Sequence, residues 1–286
     1  MEPAQETLSG HEGLEHTMPT SLQGRAKNAA HEKSYRLRHL CGMLTVASVL
    51  SGWPLRNTRA ASGGDRSSAR AYGSRRHDHG TSLVERVKTQ CDRAKLVRRH
   101  SIPQGNGALR PRGIPATEDT LLQMAGARSL DAIYAPDFLP SSDGSRKNMG
   151  ARDAVRDLTR HRPCGPYSFV GEADITGDFD HMDHERLMEM LRLRIDARPC
   201  LRRIEKWFKA GVFDTDGQVL HPVTGLPQGG IVSPILANIS LHHVRDVWCT
   251  DDVKAHCKGQ ALLCRDADDG VCAFQDERDA ERVSRV

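Results

Sequence analysis

Three short apolar runs in this chain border carboxylates at two separate places, and that arrangement constrains its fold more than any other feature. Phe169-Val170 to Ile175 reads as a strand that carries Asp174 near its end and runs into a turn at Gly177. Ala261 to Cys264 and Val271 to Phe274 read as two strands flanking an acidic turn that contains Ala267-Asp268-Asp269. Alone, a strand-terminal Asp usually bonds turn amides, and an acidic dipeptide is usually a solvated turn. Adjacent carboxylates repel one another unless a cation sits between them. Two such sites in one chain fit a phosphoryl- or nucleotidyl-transfer centre, in which convergent carboxylates hold two divalent ions about 3.5–4 Å apart.

The intervening sequence supplies the scaffold. Val97 to Pro103 and Arg110 to Pro115 read as strands around an Asn106-Gly107 turn. Asp119 to Tyr134 has helical spacing, with Leu121, Leu122, Ala125, Leu130 and Ile133 on one side. Asp183 can cap a helix bearing Leu187, Met190, Leu191 and Ile195. Pro199 opens a second helix with Leu201, Ile204, Trp207 and Phe208 as its stripe. Asp216-Gly217 is a hairpin turn between Val212-Phe213 and Val219-Leu220. Ser233-Pro234 then starts a helix with Ile235, Leu236, Ile239 and Val244 inward. This order predicts an α+β fold in which one antiparallel sheet is backed by helices. Residues 1 to about 35 lack sustained periodicity and read as a flexible leader. Gly52 to Gly80 is rich in Arg, Ser, Ala and Gly and offers little to bury, so low order is expected there.

Composition adds limits. The formal charge of +4 permits a nucleic-acid partner without requiring one. The distribution is more informative: Arg86, Lys88, Arg93, Lys95, Arg98, Arg99, Arg110 and Arg112 face only Asp92. Such a run suits either a phosphate-binding surface or a solvated helix face. Of the eight cysteines, Cys249, Cys257 and Cys264 lie near His256, but without the paired spacing of zinc sites. Reduced thiols in a cytoplasmic protein are the expectation. The apolar stretch Met43 to Leu55 is too short to span a bilayer. Gly225-Leu226-Pro227-Gln228-Gly229-Gly230 forms a compact loop entering a helix. Its free amides suit a base or phosphate, although a purely structural loop has the same composition.

Ala173 to His184, Gly225 to His242 and Leu262 to Phe274 closely resemble the palm motifs of group II intron reverse transcriptase-maturases. Ile102-Pro103, Asn106-Gly107, Arg110-Pro111, Gly113-Ile114-Pro115 and Asp119 are similar to their fingers motif. Phe138 to Ser142 and Asp214 to Thr224 also fit, so the likeness covers nearly all of residues 81–286. It implies the fingers and palm of a right-hand polymerase acting on an RNA template, a DNA primer and deoxynucleoside triphosphates. By that resemblance Asp174 and Asp268, with the backbone carbonyl of Ile175, would bind two Mg²⁺ ions, and Asp269 would complete the cluster. Phe179 would gate against the ribose 2′-OH, Arg110 would neutralise the triphosphate, and Gln228 and Gly229 would line the nucleotide and template pocket.

Several positions depart from the family. Asp266 stands where it has Tyr, Gly270 where it has an aromatic residue, and Gln104 where it has a triphosphate-contacting Lys. Asp143, Ser145, Leu226 and Arg112 replace a Tyr, a Phe, a small polar residue and an apolar one. The sequence-level expectation is a degraded, poorly ordered region at 1–80, a fingers-like region at 81–168, and a palm at 169–286 that stops soon after the acidic hairpin, without a thumb. That arrangement implies a bacterial, cytoplasmic RNA-directed DNA polymerase of impaired activity. The alternative is a catalytically silent, intron-RNA-binding remnant.

Overall fold

The computed structural model describes residues 20–38, 44–57, 61–103, 105, 107, 109–147, 149–164, 166–175, 178–214 and 216–285. Helix α1 (Thr20–His31) places Leu22 and Ala29, seven residues apart and so on one face, in the core. Its exposed C-terminal carbonyls are satisfied by Arg194, whose guanidinium donates to the carbonyls of Ala29, Glu32 and Lys33. Leu37 then bridges Ile195 through backbone hydrogen bonds. Part of the segment expected to be a flexible leader is therefore structured, and the partner that orders it is a distant arginine.

The segment from Gly52 to Gly80 is also more ordered than its composition suggests. Helix α2 (Val46–Leu50) begins with a reciprocal Thr45–Ser48 capping box. A short 3-10 turn (Trp53–Leu55), α3 (Ala69–Ser74) and α4 (Arg76–Lys88) follow. Tyr72 lies between Trp53 and His79, with ring centroids 5.7 and 4.8 Å away. Gly73 abuts the Trp53 ring and Gly80 abuts Leu50, so the small residues let these elements approach closely. A few large rings and several glycines do here what an apolar stripe does elsewhere.

Strands β1 (Val97–Pro103) and β2 (Leu109–Ile114) form an antiparallel pair; Gln104 and Asn106 lie outside the described residues. Helix α5 (Thr117–Tyr134) runs through the main core, with Leu121, Leu122, Ala125, Leu130 and Ile133 buried as the spacing predicts. The Tyr134 hydroxyl donates to the Leu191 carbonyl at 3.1 Å. Helix α6 (Ala151–Cys164), not among the expected elements, precedes β3 (Phe169–Asp174) and the short α7 (Asp178–His181). Helix α8 (His184–Arg194) starts at Asp183, whose carboxylate accepts from the Glu185 and Arg186 amides. Helix α9 (Arg198–Phe208) buries Leu201, Ile204, Trp207 and Phe208.

The hairpin of β4 (Val212–Phe213) and β5 (Val219–Leu220) turns at Gly217, φ 87°. Helix α10 (Ser233–Leu241) continues into wider π turns at His242–Asp246 and Cys249–Val253, then α11 (Lys254–His256). Those turns alter the phase: Val244, expected inward on an ideal helix, is 59% exposed, while Arg245 and Asp246 turn inward. Strands β6 (Ala261–Asp266) and β7 (Asp269–Phe274) and helix α12 (Glu277–Val283) complete the described chain.

Where one antiparallel sheet was expected, the described residues form two. Strands β2, β1, β4 and β5 form the first, in which β1 and β4 run parallel through Val97–Val212 and Arg98–Phe213. Strands β3, β7 and β6 form a purely antiparallel second sheet over a small core of Cys249, Val253, Leu263 and Phe274. No helix among the described residues is long and apolar enough to cross a membrane.

Candidate active site

The second sheet brings the acidic segments together. In the β3–β7 register Asp174 lies opposite Asp269, and Ala173 opposite Gly270. Side chains opposed in this way have Cβ atoms about 4.5–5.5 Å apart. On the other edge Asp266 pairs with Asp269, leaving Ala267 and Asp268 as the hairpin tip. Ala267 sits at φ 58°, the left-handed region in which hairpins ordinarily place Gly or Asn, so the tip carries backbone strain. The Asp269 carboxyl is raised above its ordinary value by partial desolvation and then by the charges of Asp268, Asp174, Asp266 and Glu172. Among the described residues, no three His, Cys, Asp or Glu side chains form a ready-made metal cage. The donor set is nonetheless all hard carboxylate oxygen, carries excess negative charge and is open to solvent, which suits Mg²⁺ with most of its waters retained. Ile175 follows directly; its neighbours Thr176 and Gly177 lie outside the described residues.

Beneath the tip is a polar network that the sequence reading missed. Arg265 is fully buried and donates to both Asp246 oxygens, to Asn238 Oδ1, to Ser142 Oγ and to the Ala267 carbonyl, at 2.6–3.1 Å. Asn238 in turn donates to the Gly144 carbonyl. Loop 141–145 lies along β6 through Arg265 N to Ser141 O and Asp143 N to Arg265 O. Gly144 is packed so closely against Asp266 and Ala267 that a side chain there would collide with the turn. Asp143, one of the departures from the family, is buried beside Cys264, and Ser145 holds φ 56°. The available sequence signal was an arginine directly after the apolar Ala261 to Cys264 run and directly before the acidic turn.

The glycine-rich loop ties the segment between β3 and α8 to strand β2. Gly225 N donates to Met182 O, Leu226 N to Phe179 O, and Gly113 N to Gln228 O. Gln228 Nε2 reaches both Asp180 oxygens at 3.2 Å. Gly229, φ 105°, lies against the Gly113 carbonyl, where a side chain would clash. Leu226, read as a departure, is buried in the main core, against which Phe179 packs half-buried.

Gln228 and Gly229 open onto different depressions. Gln228 lines a cleft of about 330 Å³ with Arg99, Arg112, Asp180 and His221. Gly229 lines one of about 370 Å³ with Arg56, His100 and Arg112. Arg110 is exposed on β2 and lines neither.

The basic run is partly consumed by structure. Arg86 pairs with Glu118, Lys95 with Asp65 and Glu118, and Arg99 with Asp214. Asp92 is buried against Arg203. Arg93, Arg110 and Arg112 are exposed.

Residues 101–286 match the family described as reverse transcriptase (RNA-dependent DNA polymerase). Over 163 residues the chain is 38% identical to the group II intron-encoded protein LtrA of Lactococcus lactis subsp. cremoris, covering 57% of this chain and 27% of that one. It is 36% identical over 149 residues to protein YkfC of Escherichia coli K12, covering 51% and 39%. It therefore spans less than half the length of either relative. The solved partial Cas6-RT-Cas1--Cas2 complex aligns with a TM-score of 0.47 at 20% identity, over 85% of this chain and 39% of that one. The match over most of its length places the chain in the reverse transcriptase family, on the branch encoded by group II introns.

Proposed function

We propose that this chain performs template-directed DNA synthesis on RNA, with the end of the β3–β7–β6 sheet as its catalytic centre. The observation that carries the reading is the Asp174–Asp269 register, which sets two far-apart acidic segments side by side. Asp174, Asp268 and Asp269, with the Ile175 carbonyl, are the residues that would hold two Mg²⁺ ions. Bound there, the ions would lower the pKa of a primer 3′-OH and neutralise the departing pyrophosphate. In this reading Phe179 is the ribose gate, Arg110 meets the triphosphate, and Gln228 and Gly229 present the loop to the template and nucleotide. We take 81–168 as the fingers-like part and 169–286 as the palm.

Asp266, standing where the family has Tyr, adds negative charge beside the metal ligands. A misplacement of about 1 Å can cost on the order of 10²-fold in rate, so slow catalysis is expected. Primer extension on an RNA template with Mg²⁺ tests this. Activity should vanish in Asp174→Ala and Asp268→Ala and rise in Asp266→Tyr. Extension that survives either alanine variant contradicts the assignment.

Exposed Arg110 and Arg112 on β2 favour a second reading, retention of intron RNA without catalysis. It predicts salt-dependent RNA binding indifferent to Asp174→Ala, with no primer extension.

A further inference from the structure

The acidic tip has a second arginine beneath it, and this one fits a notch that the sequence leaves open. Arg245 lies on the π turn after α10 and is only 9% exposed. Its Nη1 donates to the Asp268 carbonyl at 2.8 Å, and its Nη2 to the Ala173 carbonyl at 3.1 Å. One planar group thus spans the hairpin tip and the last residue before Asp174. It can do so because residue 270 has no side chain: a Cβ on Gly270 would fall on the guanidinium itself. Gly270 in turn pairs with Ala173 and with Arg265 in the two registers of β7, so the notch sits in the middle of the acidic sheet end.

We propose that Arg245 is a positioning residue for the acidic cluster, an internal cation seated in the Gly270 notch that ties the Asp268 turn to β3 and holds the carboxylates together. The proposal rests on the reading of that cluster as the cation site. Its charge offsets part of the repulsion among Asp174, Asp266, Asp268 and Asp269, and its forked geometry fixes two strands at once. Lysine, with a single compact head on a flexible stem, cannot serve both carbonyls in the same plane. Gly270 and Arg245 therefore form one device: the missing side chain that would weaken a strand by itself makes room for the clamp.

Amide hydrogen exchange of the full chain, with Mn²⁺ titration followed by electron paramagnetic resonance, tests both halves. The variants are Arg245→Met, Arg245→Lys and Gly270→Ala. Gly270→Ala keeps the charge but displaces the guanidinium. If the clamp operates, peptides covering 171–175 and 267–270 exchange at least about tenfold faster in Arg245→Met and Gly270→Ala, while those of α5 are unchanged. Arg245→Lys falls between them and wild type. Removing the charge moves Mn²⁺ half-saturation several-fold lower in Arg245→Met, but not in Gly270→Ala. Loss of a purely structural arginine would weaken Mn²⁺ binding and speed exchange everywhere, α5 included, without that opposed shift. Wild-type exchange at both segments in Arg245→Met and Gly270→Ala overturns the proposal. If Mn²⁺ binding to wild type is absent or is retained in Asp174→Ala, the cation-site reading fails instead, and exchange alone then decides whether the clamp exists.

Discussion

Arg265 and Asp246 form a two-pronged ion pair, Nε to Oδ1 and Nη2 to Oδ2 both at 2.7 Å, with neither side chain exposed to solvent. The pair joins the π turn after α10 to β6 directly under the acidic hairpin. Removing one partner leaves the other as an uncompensated buried charge, which costs about 3–5 kcal/mol. Arg265→Met or Asp246→Leu alone should lower the urea midpoint accordingly, and the double variant should recover most of the loss. Equal and additive losses in the two single variants would show that the pair is not coupled.

Asp119, in the first turn of α5, makes stability depend on pH. Burial pushes its carboxyl up to about 6, against a countering hydrogen bond from the Lys95 amide at 2.9 Å. A carboxyl whose folded pKa is raised favours the folded state when protonated. Its contribution is therefore full below about pH 4 and is lost as the pH rises through about 6, amounting to roughly 2–3 kcal/mol. Asp119→Asn, which can still accept from Lys95, should abolish that component. The stability difference between variant and wild type is expected to grow between pH 4 and 7; a flat difference contradicts it.

His242 acts in the opposite sense. Burial first, and then the neighbouring His243, lowers its ring to about 4, despite Asp246 at 3.9 Å. The unfolded chain therefore takes up this proton before the folded one does. Stability is lost as the pH falls from about 6.5 through about 4, by roughly 2–3 kcal/mol. His242→Gln should unfold less steeply with acid over that window, as read by circular dichroism at stepped pH.

The apolar periodicities of α5, α8 and α9 and the turns at Gly217 and Ala267–Asp268 were legible because each is decided within a few residues. So was the likeness of the acidic segments to a polymerase palm. What was not legible depends on distant partners. Helix α1 is ordered by Arg194, and the Gly52–Gly80 segment by rings packed against glycine. The joining of the β1–β2 and β4–β5 hairpins into one sheet turns on a two-residue parallel contact between β1 and β4. Arg245 carried no local signal of burial, and Arg265 only its place at the end of an apolar run; charged residues are almost never fully buried unless paired. Their partners lie on separate elements.

The central claim is that Asp174, Asp268 and Asp269 serve one cation pocket. Iron-directed hydroxyl-radical cleavage tests it most directly, with Fe²⁺ in place of Mg²⁺, ascorbate and peroxide. Backbone cuts should appear together around 171–176 and 266–270, fade together under excess Mg²⁺, and both disappear in Asp174→Ala. Cuts at the hairpin tip that persist in Asp174→Ala, with none near residue 174, would contradict the account.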